Sequence, residues 1–214
     1  MQYFTFLGVG TLPEGYEEAL YSFEDNKEEI HASKYVQSAI IEKFQSDISE
    51  VFVFCTEKSY SLGARNIKNE IKTKFNIDIK FITINEFVKI EEILQKMNEV
   101  LKEDFIIDVT HSFRNIPISV TMISNYLEVS TKKQLKHLFY GNYNRETNEG
   151  LIIDLINQYE NSKIASSLMA FDQFLKISDT YLYNLNDNKI NILIQIFFKI
   201  FVVKQFTKPR HNNI

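Results

Sequence analysis

The feature that most constrains this chain is an alternation of short apolar segments with longer amphipathic ones over residues 1–156. Apolar runs at 3–7, 51–56 and 105–109 are short and nearly uninterrupted, which is typical of strands buried on both faces of a sheet. The segments between them place apolar side chains on one helical face. This order predicts an open, mostly parallel sheet with helices on both faces.

The strands are predicted at 3–7, 51–56, 79–84, 105–109 and 135–140, and the helices at 35–44, 64–75, 88–101 and from Pro117 onward. Residues 17–24 and 28–33 predict a hairpin outside this pattern, and 150–156 predicts an added edge strand. We therefore expect an α/β, Rossmann-like domain at 1–157.

After residue 157 only helical patterns remain, at Ala165–Leu175 and Ile190–Phe206, which predicts a short helical C-terminal element over 158–214. The apolar part of the second helix is too short for the roughly 20 apolar residues of a membrane span, and Gln195 and Lys199 interrupt it. We expect no membrane association and a helix that packs on a partner chain.

Composition narrows the possible functions. A formal net charge of -4 argues against non-specific binding of long nucleic acid, so an anionic ligand needs a local site. The single cysteine, Cys55, excludes an intrachain disulfide and a cysteine-built zinc site. No signal peptide is evident at the N-terminus, which favours a cytoplasmic protein. We expect no bound metal and no cofactor.

Ligands of such sheets bind beyond the carboxyl ends of the strands, which selects residues 8–12, 55–63, 108–117 and 140–145. Gly8-Val9-Gly10 lets the backbone approach a ligand, and Thr11 can donate to a phosphate. The third glycine of the dinucleotide motif and the acid after the second strand are both missing, which disfavours NAD. After the second strand, Thr56 and Ser59 are expected in a polar loop that either binds an adenine or is merely solvated.

The stretch 107–117 is the most informative, because it is unusually polar for a strand end that leads into a helix. Thr110 and Ser112 offer hydroxyls, Arg114 offers a planar cation, and the amides before Pro117 point out of a helix N-terminus. These groups suit phosphate binding. The alternative is a capped turn in which Asp108 and Ser112 bond local amides and Arg114 pairs with Asp108.

The run Asp-Val-Thr-His-Ser-Phe-Arg-Asn-Ile-Pro at 108–117 resembles the signature loop of CARF proteins of type III CRISPR systems. The resembling subgroup carries an Asp-x-Thr-His-Gly/Ser-Phe-Arg-x-x-Pro motif and is usually fused to a HEPN ribonuclease. Residues 6–10, 34–39 and 139–141 are similar to the family's first strand, first helix and fifth strand. The similarity covers 1–156.

The resemblance implies a homodimer that binds one cyclic oligoadenylate, most plausibly the tetra-adenylate, between two facing loops, as a sensor in antiviral defence. A two-fold-symmetric ring also suits an isologous interface. The expected ligand-binding residues are Gly8, Val9, Gly10, Thr11, Thr56, Ser59, Thr110, His111, Ser112, Arg114, Asn115, Tyr140 and Gly141.

Two other functions stay open. In a ring nuclease that cleaves its own ligand, His111 would take the proton of a ribose 2′-hydroxyl and Arg114 would assist. A ligand-responsive transcriptional regulator is the other, although no basic recognition helix is evident. The HEPN Arg-x(4–6)-His motif does not occur in 158–214, so we expect the ribonuclease to be absent, truncated or encoded separately.

Overall fold

The computed structural model describes residues 1–9, 16–86, 88–111 and 116–182. Within these ranges the chain forms eight strands and five helices. The strands are β1 (Gln2–Leu7), β2 (Ala19–Phe23), β3 (Asn26–Ser33), β4 (Glu50–Cys55), β5 (Ile79–Thr83), β6 (Phe105–Asp108), β7 (Leu135–Asn144) and β8 (Glu149–Asp154). The helices are α1 (Val36–Phe44), α2 (Glu57–Phe75), α3 (Ile90–Val100), α4 (Ile116–Thr131) and α5 (Ile156–Leu182).

All eight strands belong to one sheet in the order β3-β2-β8-β7-β6-β1-β4-β5. The five strands from β7 to β5 are mutually parallel. This arrangement confirms the predicted Rossmann-like, mostly parallel open sheet. β8 and β2 run in the opposite direction, and the β2–β3 hairpin extends the sheet on the β7 side.

Alternation along the central strands explains why both faces are covered. In β1, Tyr3 packs into the core beneath α1 and α2, whereas Phe4 packs into a second core with α3 and α4. Because successive side chains of a strand point to opposite faces, a strand between two helical layers must be apolar throughout. All six residues of β1 are buried accordingly.

Three local predictions were wrong. The strand predicted at 150–156 is not an edge strand, because β8 pairs with β7 on one side and with β2 on the other. The polar loop predicted around Thr56 and Ser59 is instead the start of a helix: Thr56 caps α2, and its side chain and that of Ser59 bond each other's backbone amides. Gly141 was expected beyond a strand end but lies inside β7, which continues to Asn144.

The chain divides into two compact units, Met1–Asn161 and Ser162–Ile214. The structure describes the second unit as far as Leu182, where α5 ends. The helix predicted at Ile190–Phe206 lies outside the described residues. No helix in the described part of the chain is both long and apolar enough to cross a membrane.

Candidate functional site

A cleft opens at the carboxyl edge of the parallel strands, where β1 and β6 end and β7 passes beside them. Its volume is about 420 Å³, and we refer to it as the first cleft. Five of the predicted site residues line it together: Gly8, Val9, Thr110, His111 and Gly141. They are brought together because the carboxyl ends of neighbouring parallel strands share one edge of the sheet.

The floor of this region is built on Asp108, the last residue of β6, whose side chain is completely buried. One carboxylate oxygen accepts hydrogen bonds from the backbone amide of Thr110, at 2.9 Å, and from the Thr110 hydroxyl. The other accepts from the Thr5 hydroxyl at 2.7 Å and from the Tyr3 hydroxyl at 3.4 Å. These four donors hold the carboxylate and fix the turn that follows β6.

Thr110 links the turn after β6 to β7. Its hydroxyl oxygen accepts a hydrogen bond of 2.7 Å from the backbone amide of Gly141. A β-carbon at position 141 would lie 3.1 Å from the Thr110 side chain and 3.1 Å from Val36. A side chain at position 141 would therefore crowd the approach of the 108–111 turn to β7.

His111 lies at the centre of the site. Its ring packs against Tyr16 with 4.9 Å between the ring centroids. Its Nε2 atom is buried, and no hydrogen-bond partner for it occurs among the described residues. Burial lowers the pKa of His111 from its ordinary value, and the opposing effect of Asp108 is smaller. The imidazole is therefore neutral near pH 7.

His111 also borders a second cleft of about 480 Å³ on the other side of Gly8 and Val9. Thr56 and Ser59 line this second cleft, so two more predicted residues lie near the carboxyl edge of the sheet. Their hydroxyls are already engaged in the α2 cap, which leaves them less able to serve a ligand. Burial raises the pKa of the neighbouring Cys55 thiol to about 11, so this thiol is not a nucleophile at neutral pH.

The remaining predicted residues are placed differently. Tyr140 precedes Gly141 in β7 and points to the opposite face of the sheet, where its side chain is 41% exposed. Gly10, Thr11, Ser112, Arg114 and Asn115 lie outside the described residues. Whether Arg114 pairs with Asp108 or meets a ligand thus stays a prediction.

Five further residues that line the first cleft were not predicted from the sequence as site residues: Tyr16, Tyr21, Lys34, Tyr143 and Arg145. Tyr21, Tyr143 and Arg145 belong to β2, β7 and the turn between β7 and β8. Burial raises the pKa of Tyr21 to about 12, with smaller contributions from Tyr143, Asp108 and Glu70. The phenol therefore keeps its proton and can donate it to a ligand.

No group of three or more His, Cys, Asp or Glu side chains that could hold a metal ion occurs within the described ranges. The ionisable and aromatic side chains that line the first cleft are instead a neutral imidazole, three phenols, two cations and one carboxylate. This set suits a ligand that combines aromatic rings, hydroxyls and anionic groups.

Fold and cleft together define a Rossmann-like α/β protein with a cleft at the carboxyl edge of its sheet. Comparison with known protein families found no family that matches the chain, and comparison with curated proteins found no similar sequence.

Proposed function

We propose that this protein is a sensor that binds a cyclic oligoadenylate at a dimer interface, as the CARF-like loop at 108–117 implies. The observation that carries the proposal is the convergence of Gly8, Thr110, His111 and Gly141 on one cleft at the carboxyl edge. Phenols and the imidazole can stack on adenine rings or bond ribose hydroxyls, and the cations can bind phosphates.

The homodimer in this proposal is supported by α4, which begins at Ile116, within the last two residues of the signature loop. Its exposed side carries Met122, Tyr126 and Val129, at the spacing that places them on one helical face. Glu128 is the only charged residue of α4, and it accepts bonds from Tyr159 and Leu135 within the same chain. Near a two-fold axis each residue meets its own copy, so an uncharged face is well suited to this role.

The test is calorimetric titration of the full chain with cyclic tri-, tetra- and hexa-adenylate, together with the Arg114→Ala variant. A charge-assisted contact of about 1.5–3 kcal/mol predicts a loss of about tenfold to a hundredfold in affinity for this variant. Arg65→Ala is the matched control, because Arg65 is exposed on α2 and lines neither cleft. Failure of the wild-type chain to bind any of the three rings would refute the proposal.

The melting temperature of Arg114→Ala tests the alternative structural role of the arginine. An arginine that only pairs with Asp108 would leave affinity unchanged and lower the melting temperature when it is removed. The sensor proposal expects weakened binding at an unchanged melting temperature.

Ring cleavage is a second candidate, favoured by the neutral His111 whose Nε2 lacks a partner among the described residues. In that reaction the imidazole would take the proton of a 2′-hydroxyl, whose oxygen attacks the adjacent phosphorus while the 5′-oxygen leaves. The products are a linear oligoadenylate with a 2′,3′-cyclic phosphate and a 5′-hydroxyl. Mass spectrometry of ligand incubated with the wild-type chain and with His111→Ala distinguishes binding from cleavage.

A further inference from the structure

The antiparallel part of the sheet forms a wall of the first cleft. Tyr21 comes from β2, Tyr143 from the end of β7 and Arg145 from the turn that leads into β8, and Lys34 follows β3. The same cleft is lined by Gly8 and Val9 after β1 and by Thr110 and His111 after β6. A ligand in the first cleft would therefore lie between two independent parts of the fold.

The turn that carries Arg145 is held in place by hydrogen bonds around Asn148. The Asn148 side chain accepts from the Tyr143 hydroxyl at 2.7 Å and donates to the Glu18 carbonyl at 2.7 Å. Its carbonyl accepts from the Leu20 amide at 3.1 Å. The β7–β8 turn is thus tied to the segment before β2 and to the start of that strand, which restricts the directions from which Arg145 can reach a ligand.

Tyr21 is positioned by close packing on Gly150 of β8. A β-carbon at position 150 would lie 2.4 Å from the Tyr21 ring, a distance that real side chains do not allow. The absence of a side chain at Gly150 lets the ring pack closely against the strand, and Tyr21 is only 6% exposed. The position of Tyr21 is therefore determined by packing within the sheet and does not depend on a bound ligand.

Lys34 and Arg145 are both exposed, and neither forms an ion pair with any residue in the described part of the chain. The first cleft holds one acidic side chain against them, Glu17. The Asp108 carboxylate beneath the cleft is buried and already accepts four hydrogen bonds. Among the side chains that line the cleft, two cations therefore stand against one carboxylate, which favours an anionic ligand. His111, whose buried Nε2 atom has no hydrogen-bond partner in the described part of the chain, lines the same cleft.

We infer that Arg145 and Lys34 bind the phosphate groups of the ligand, so that the antiparallel wall selects phosphodiester-containing nucleotides over uncharged nucleosides. This inference rests on the proposed function, because it assumes that the ligand of the first cleft is a nucleotide. Each cation contributes a charge-assisted contact that an uncharged ligand cannot make. Binding through these contacts also weakens as salt concentration rises.

The experiment titrates the full chain, Arg145→Ala, Lys34→Ala and the control Arg65→Ala with cyclic tetra-adenylate and with adenosine at several salt concentrations. We expect Arg145→Ala and Lys34→Ala each to weaken binding of the cyclic ligand about tenfold and to reduce the slope of log affinity against log salt by about 0.7. Adenosine affinity and the Arg65→Ala titrations are expected to match the wild-type chain.

Wild-type affinity and salt slope in both cleft variants would overturn the inference while leaving the proposed function intact. An equal loss of adenosine affinity would also overturn it, because the two side chains would then act through the shape of the cleft and not through charge. Lack of any binding by the wild-type chain would overturn the proposed function and this inference with it. Melting curves of the variants identify any loss that is due to unfolding.

Discussion

Replacement of Asp108 by asparagine tests whether the carboxylate network fixes the site. The substitution keeps the size of the side chain but turns one acceptor oxygen into an amide that only donates. If the oxygen stays toward Thr110, the amide faces the Thr5 hydroxyl, at 2.7 Å from the replaced atom, and the more distant Tyr3 hydroxyl. Two buried donors then lose their acceptor.

A buried donor without its acceptor costs about 1–3 kcal/mol, and the 3.4 Å bond from Tyr3 contributes toward the low end. We therefore expect Asp108→Asn to lower the free energy of unfolding by about 2–4 kcal/mol, measured by urea denaturation followed by circular dichroism. Thr5→Val removes one hydroxyl at nearly constant shape and is expected to cost about 1–2 kcal/mol. An Asp108→Asn variant within about 0.5 kcal/mol of the wild-type chain would refute the role given to this network.

Three further predictions concern the cleft and α4. Gly141→Val should destabilise the fold by about 1–3 kcal/mol in thermal melts, because the added side chain meets Thr110 and Val36; an unchanged melting temperature would contradict the close packing. Acidification from pH 7 to pH 5 should lower the free energy of unfolding, because His111 takes up a proton near pH 6.5 when unfolded but resists it when buried; His111→Gln should reduce this pH dependence in urea denaturation. Tyr126→Glu should convert the proposed dimer to a monomer in sedimentation, since two like charges would meet near the axis, and a dimer that persists would place the interface elsewhere.

The central strands and most helices could be predicted from the sequence because local hydrophobicity determines them. β1 and β6 are short apolar runs that end at a glycine or at polar residues, and α3 places Ile93 and Met97 inward at helical spacing. The position of the candidate site was predicted from the same pattern, since parallel strands place their carboxyl ends at one edge of the sheet. Gly8, Thr110 and His111 were predicted on that ground and lie in one cleft.

The start of α2 was missed because its first two turns lack the apolar periodicity that indicates a helix. The buried apolar residues of α2 begin with Ala64 and Ile67, whereas residues 57–63 are mostly polar and exposed. The Thr56 cap was not recognised, because its partner three residues later is Ser59 and not the glutamate or glutamine of the usual motif.

The cleft wall made by Tyr21 and Arg145 could not be predicted because it depends on long-range strand pairing. β2 lies beside β8 through contacts such as Tyr21 with Gly150, which are far apart in the sequence. No local pattern in residues 17–24 indicates which strand they will meet, whereas the βα alternation limits the neighbours of the parallel strands. The sequence therefore predicts the half of the site that follows parallel topology and not the half that depends on this pairing.

β7 connects the two parts of the site, because it pairs with strands on both sides of the first cleft. Its first residues pair with β6 in parallel, while its later residues pair with β8 in the opposite direction. Both partners meet β7 at Phe139, and Gly141 follows two residues later, opposite Ile152 of β8. The Gly141 amide bonds Thr110, and the strand continues to Tyr143 and the Arg145 turn. The Asp108 network orders one side of the cleft, and the Asn148 hydrogen bonds order the other. Since the two networks share no side chain, weakening the Asp108 network should disturb the His111 side while Arg145 keeps its position. A variant that lacks the Asn148 side chain should displace Arg145 while His111 keeps its position.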